Sequence, residues 1–293
     1  MSAPPEFEVL LKDIQAKHMV LVAERKHGKS TSLKTFIQFV KERLGNQVVI
    51  KVFDVSQSWY HCAPLRFRQY LTPQTLPAIN INDCVFEMGR LLRDDRRALV
   101  GNILTMDYGD RQDIKHQGGE SAIKAEPLIL YVFEEANTYF DSQSLNRKDD
   151  YSTILGDFVS VGRNYGLGGV LVVTRMKGEL APGIRERCNK LFGRITGSGE
   201  LQSLQYETNK EIKEVVKSVA RFHWVYWNGE GLGPFRIPDL VKNVPQDYVQ
   251  VVDVLESTPQ KKLSWMALIG WGLIGVFIGA MFFYYIMTEV FGR

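Results

Sequence analysis

The sequence predicts an α/β fold, a mainly parallel sheet flanked by helices, followed by one C-terminal transmembrane helix. Three observations carry this expectation. Short apolar runs alternate with segments of helical spacing, the pattern of βαβ units. The run "HMVLVA" passes through a glycine-containing turn directly into the helical segment "STSLKTFIQFVKERLG". Finally, Leu263 to Met287 is a 25-residue stretch without a charge, long enough at about 1.5 Å per residue to span a hydrocarbon core of roughly 30 Å.

The elements follow in order. His18 to Ala23 reads as a buried strand, and Leu33, Phe36, Ile37 and Val40 fall on one face of the helix after it, with Gly45 as its stop. A second strand is expected over Gln47 to Asp54, a third over Pro127 to Asn137, a fourth over Gly168 to Arg175 and a fifth over Lys190 to Gly197. Between the second and third, residues 56–117 show weaker periodicity; they include the charged run Arg90 to Asn102 and a polar stretch, "DYGDRQDIKHQGG", expected to be a loop. "ETNKEIKEVVKSVA" predicts an amphipathic helix, and the aromatic run after it a hairpin around Asn228 to Gly233. Domain limits are accordingly expected at 1–239 for the α/β domain, 240–262 for a linker, 263–287 for the membrane span and 288–293 for a short tail.

Composition narrows little. A formal net charge of +3 over 293 residues gives no strong global field. The cysteines, Cys62, Cys84 and Cys188, fit neither a disulfide framework nor a paired metal motif. Lys261 and Lys262 precede the apolar stretch and Arg293 follows it. The positive-inside bias therefore predicts a single-pass membrane protein with a cytoplasmic N-terminal domain, in a host membrane or a virion's internal membrane. Gly275 and Gly279 within the span have the spacing that lets helices approach closely.

The chemistry centres on "AERKHGKS". A phosphate-binding loop follows G-x-x-x-x-G-K-[ST], because successive backbone N–H groups must converge on phosphates. Ala23, Glu24, Arg25, Lys26, His27, Gly28, Lys29, Ser30 and Thr31 supply the pattern, with alanine for the first glycine. Lys29 would reach the β- and γ-phosphates of ATP, and Ser30 would ligate Mg²⁺. A basic turn arising by chance is the competing reading; the strand before and helix after favour the loop. "LILYVFEEAN" places Glu134 and Glu135 behind an apolar run, the form of a strand whose first acid serves the metal and whose second orients the attacking water. Thr174, at the end of the fourth strand, fits a residue sensing the γ-phosphate. Arg163 is the candidate to stabilise transition-state charge, with Arg185 and Arg187 behind it.

A phosphate-binding loop, then "VFEEAN", then "GRNYGLGGVLVVTR" resembles the HerA and FtsK superfamily of P-loop NTPases with RecA-like sheets, which includes genome-packaging ATPases of membrane-containing viruses. The resemblance implies ATP hydrolysis, translocation of double-stranded DNA held through its backbone, and a homo-oligomeric ring, commonly hexameric, with an arginine donated between subunits. Two positions depart from it. Ala23 replaces glycine, and Arg175 stands where glutamine is usual. The chain is also similar to zona occludens toxin-like ATPases of phage assembly, in which a P-loop domain precedes a membrane span. A nucleotide-binding switch that does not move DNA is the remaining alternative. Candidate DNA contacts are the run Arg90 to Arg97, Arg111 and Lys115.

Overall fold

The computed structural model describes residues 4–59, 62, 66–69 and 83–240. A nine-stranded sheet runs in the order β3-β4-β2-β5-β6-β1-β7-β8-β9. Its strands are β1 (Met19–Val22), β2 (Val48–Asp54), β3 (Arg66–Gln69), β4 (Cys84–Glu87), β5 (Leu128–Phe133), β6 (Leu167–Val173), β7 (Asn189–Phe192), β8 (His223–Trp227) and β9 (Leu232–Arg236). β3 through β7 are parallel in this order, and β8 and β9 close one side as an antiparallel hairpin. The strands expected from sequence are present within a few residues, and the sheet is mainly parallel as expected.

Helices cover both faces, which is why the central strands are continuous apolar runs. On one face lie α1 (Glu6–Ala16) and α2 (Lys29–Leu44), packed on Ile50, Val52, Leu130, Val132, Val170 and Val172. On the other lie α3 (Arg93–Ala125) and α6 (Asp150–Val161), packed on Phe53, Phe86, Ile129, Tyr131, Phe133 and Leu171. The alternation along β5 follows from the strand period of two: Leu130 and Val132 serve one layer, Tyr131 and Phe133 the other. Each such side chain withdrawn from water contributes about 1.5–3 kcal/mol. Shorter helices complete the chain: α4 (Asn137–Phe140), α5 (Ser142–Leu145), α7 (Pro182–Arg187), α8 (Ser198–Glu207) and α9 (Lys210–Ser218).

The structure corrects two expectations here. "DYGDRQDIKHQGG" is part of α3 rather than a loop, the helix being broken only at Gly119, whose φ of 70° is non-helical. A buried polar contact holds α3 to the sheet: Lys51 Nζ donates to Asp107 Oδ1 at 2.7 Å, and the Tyr131 hydroxyl donates to the same carboxylate. The second correction concerns localisation. Among the described residues no helix is long and apolar enough to cross a membrane, which leaves the expected single-pass placement without structural support. The stretch 263–287 on which it rested lies outside the described residues, as do the rest of the linker and the tail. The three cysteines are buried and form no disulfide.

Candidate nucleotide site

β1 ends at Val22, and the loop from Ala23 to Gly28 delivers the chain to the N-terminus of α2. Gly28 sits at φ 103°, left-handed, and a methyl group there would come within 2.3 Å of the Phe222 ring. Both facts demand glycine. Ala23 is fully buried, and its methyl group faces Gly193, where an added Cβ would lie 2.7 Å from it and 2.3 Å from the His27 ring. The glycine absent at the start of the loop is matched by one on the neighbouring strand.

His27 is a brace. Its Nδ1 accepts from the Arg194 N–H at 3.4 Å, so Nε2 carries the proton and donates to the His223 carbonyl at 3.0 Å. Burial holds its pKa below the ordinary value. The ring meets Trp224 edge-on, and Trp224 Nε1 donates to Ser32 Oγ at 3.0 Å. Glu24 is tied to the same hairpin side of the sheet, its N–H donating to the Arg194 carbonyl at 3.0 Å and its carboxylate taking the Arg194 guanidinium and the Thr196 hydroxyl. Arg25 and Lys26 are exposed on the turn, Lys26 with a left-handed φ of 63°. Thr31 begins the helix beside Ser30.

Lys29 Nζ folds back onto the loop's own carbonyls, 2.7 Å from Ala23 and 3.1 Å from Glu24. Burial lowers its pKa; of the charges that oppose this, the Glu179 carboxylate is the strongest, ahead of Glu134 and Glu24. Ser30 Oγ donates to Glu134 Oε1 at 3.1 Å, joining the loop to the tip of β5 across 104 positions of sequence. β6 lies between β1 and β5. The fold is that of a P-loop NTPase.

Solved structures of this fold are similar over most of the chain. The genome packaging NTPase B204 from Sulfolobus turreted icosahedral virus 2, in complex with sulfate, matches at a TM-score of 0.56 and 16% identity over 76% of this chain and 98% of that one. VirB4 of Thermoanaerobacter pseudethanolicus matches at 0.51 and 11% identity over 80% and 91%. EssC ATPases 2 and 3 from Geobacillus thermodenitrificans match at 0.52 and 14% over 83% of this chain and 43% of that one. The packaging-type resemblance read from sequence holds at the level of fold. No family model and no curated protein matches the chain.

Around the P-loop, Glu134 is almost fully buried yet well supplied with donors. Besides Ser30 it accepts from Ser56 Oγ at 2.5 Å, Ser58 Oγ at 3.0 Å and Trp59 Nε1 at 2.8 Å. Next to it lies a carboxylate that the sequence reading left as a strand end. Asp54, fully buried at the tip of β2, accepts the N–H groups of Ser56 at 3.0 Å, Ser58 at 3.2 Å and Trp59 at 2.9 Å. Burial and the neighbouring Glu134 charge raise its pKa to about 7. An acid closing an apolar strand, parallel to the strand that ends in Glu134, was the available signal.

Glu135 follows at the strand tip, exposed, with a left-handed φ of 51° uncommon for a residue with a side chain. Thr174 lies at the tip of β6, and there too a residue went unread. Glu179 Oε2 accepts the N–H groups of Thr174 at 2.9 Å and Arg175 at 3.0 Å. Glu200 takes the next two, Met176 and Lys177, at 3.0 and 3.2 Å.

Arg163 is not part of this cluster within one chain. It sits in the turn before β6, and the seven residues of that strand, roughly 20 Å long, separate it from the tip that bears Thr174. Its Nε and Nη1 are buried without a hydrogen-bond partner, and burial alone lowers its pKa to about 10. Arg185 pairs with Glu207 and Arg187 with the Ser160 hydroxyl. The expected DNA contacts are largely consumed inside the fold. Arg93 binds Asp141 at 2.7 Å, Arg96 donates to the Met88 and Leu91 carbonyls at 2.9 Å, and Arg97 is buried against Asp149 and the Ser144 carbonyl. Arg111 is buried and donates to the Pro127 carbonyl, and Lys115 lies over the Tyr165 ring at 4.7 Å. Of the run, Arg90 remains mainly exposed.

Proposed function

We propose that the chain is an ATP hydrolase whose turnover drives DNA through a ring of identical copies, with viral genome packaging as its setting. The observation that carries the reading is the junction of Lys29, Ser30 and Glu134 at the C-terminal edge of a sheet with β6 inserted beside β1. The similar packaging NTPase was solved with ATPγS as well as sulfate, which supports ATP as the substrate here.

In this reading the backbone N–H groups from Arg25 to Thr31 bind the phosphates at the positive end of α2. Lys29 leaves its two carbonyls to neutralise charge on the β- and γ-phosphates. Mg²⁺ fits the donor set: the Ser30 hydroxyl and Glu134 carboxylate are hard oxygen ligands already in contact, with Asp54 behind them. When bound, the ion offsets charge on the transferring phosphoryl group. Glu135 orients the attacking water, and Thr174 contacts the γ-phosphate once the Glu179 carboxylate gives way. Arg163 completes the site of a neighbouring copy, a role supported by two guanidinium nitrogens, Nε and Nη1, that make no hydrogen bond within its own chain.

The test is Glu135→Gln. Nucleotide binding should persist while hydrolysis falls by about 10²–10⁴-fold, and double-stranded DNA should stimulate the unaltered chain. Undiminished turnover in the variant, or turnover indifferent to DNA, would remove the water-orienting role or the motor reading respectively.

A further inference from the structure

A second cavity, of about 620 Å³, opens at the other edge of the sheet, beside Lys17 before β1 and the start of β7. Its size suits a small molecule. Its lining carries Lys17, Arg185 and Lys190 against Glu186 and Glu207, an excess of one positive charge. Lys190 is 6% exposed, and its amine reaches only the Cys188 carbonyl at 3.5 Å and the Glu207 carboxylate at 3.8 Å. Arg185 shares that same carboxylate through Nη1, and its Nε makes no hydrogen bond; nor does Glu207 Oε2, the atom that Lys190 faces at 3.8 Å. One carboxylate thus serves two cations, the buried Lys190 and the partly buried Arg185. Burial pulls the Lys190 amine below its ordinary value against the attraction of Glu207. Withdrawn cations with unmade hydrogen bonds are costly until an anion arrives.

Two aromatic side chains also line the cavity. Trp227 is partly buried, while Tyr206 is 80% exposed, the most exposed of the large hydrophobic residues described. A ring held there would cover them both.

We propose that this cavity binds a small ring-bearing monoanion, an aromatic carboxylate in class, with the carboxylate on Lys190 and Arg185 and the ring against Tyr206 and Trp227. A single negative charge matches the single excess positive charge. A guanidinium in the lining suits a planar carboxylate. Neither the P-loop nor its acids take part, so the proposal stands apart from ATP hydrolysis.

Thermal unfolding of the full chain with three probes tests it: benzoate, benzamide with the same ring and no charge, and acetate with the same charge and no ring. Benzoate should raise Tm saturably by a few degrees, with benzamide and acetate each giving much less. In Lys190→Met, where an apolar side chain of similar length replaces the buried cation, the benzoate shift should vanish. Tyr206→Ala, at an exposed position that folding does not depend on, should weaken benzoate and leave acetate as it was. Equal shifts from benzoate and benzamide, a benzoate shift that survives in Lys190→Met, or no shift from any probe overturns the proposal. Should Lys190→Met fail to fold, a benzoate response unchanged in Tyr206→Ala overturns it as well.

Discussion

Ala23 and Gly193 show how a residue can depart from a motif while the site keeps its shape. The alanine methyl occupies space that Gly193 leaves on the adjoining strand, and the His27 ring fills the remainder. Gly193→Ala would therefore press a methyl group against both. Overpacking of this kind costs about 1–3 kcal/mol, and we expect lower stability in urea together with weaker nucleotide binding, since the displaced His27 belongs to the loop. Ala23→Gly in the same chain should restore only part of the loss, because the clash with His27 persists. At this scale the sequence displayed Lys29, Ser30, Glu134 and Thr174, whose chemistry is written in their local pattern. It did not display Asp54, Glu179 or Gly193. Their importance comes from neighbours brought near by the sheet, 80, 150 and 170 positions away in the cases of Glu134, Lys29 and Ala23.

Elements were legible where burial was two-sided. β1, β2, β5 and β6 are apolar on both faces, so their runs stood out against everything around them. α3 was hidden because its core-packing residues, Leu99, Val100, Ile103 and Leu104, crowd into its first half, while the remainder is mainly polar and carries Gly109, Gly118 and Gly119. The arginine-rich start of that helix looked like a nucleic-acid patch for the same reason: its ion-pair partners, Asp141 and Asp149, lie on elements some 50 residues further along. The entry to β1 supports a measurable expectation. His18 is buried beside Phe158 with neither ring nitrogen hydrogen-bonded, and burial, reinforced by the Arg163 charge, lowers its pKa to about 3. The folded chain then keeps the ring neutral while the unfolded chain protonates it below about 6.5. Folding loses stability as pH falls through the window from about 6.5 to 3, by up to about 1.4 kcal/mol per pH unit from this group. His18→Leu should flatten the fall in urea midpoint between pH 6.5 and pH 4 by that amount; an unaltered slope would mean that the folded chain accepts the proton.

At the scale of the whole molecule, the sheet separates two sets of chemistry. The C-terminal edge gathers the P-loop, Asp54, Glu134, Glu135 and Thr174, while the opposite edge carries Arg163 and its unpaired guanidinium. In the proposed scheme a single copy holds an incomplete site and a spare arginine. Chains bearing Lys29→Ala and chains bearing Arg163→Ala should each be inactive alone, yet mixing them should recover ATP hydrolysis, because some junctions then pair an intact P-loop with an intact arginine. Silence in the mixture would place Arg163 outside catalysis. This division could not be read from the motif order, which lists the parts but not the end of the sheet where each one stands.

The hairpin of β8 and β9 touches no phosphate in this scheme, yet it shapes the loop that does. Phe222 walls Gly28, the His223 carbonyl fixes the tautomer of His27, and Trp224 reaches Ser32 on α2. The phosphate cradle is therefore assembled by the last two strands of the sheet to be synthesised. A nascent chain that has already released β1 through β7 possesses every residue of the P-loop and still lacks the mould that sets its curvature, which arrives only with Phe222, His223 and Trp224.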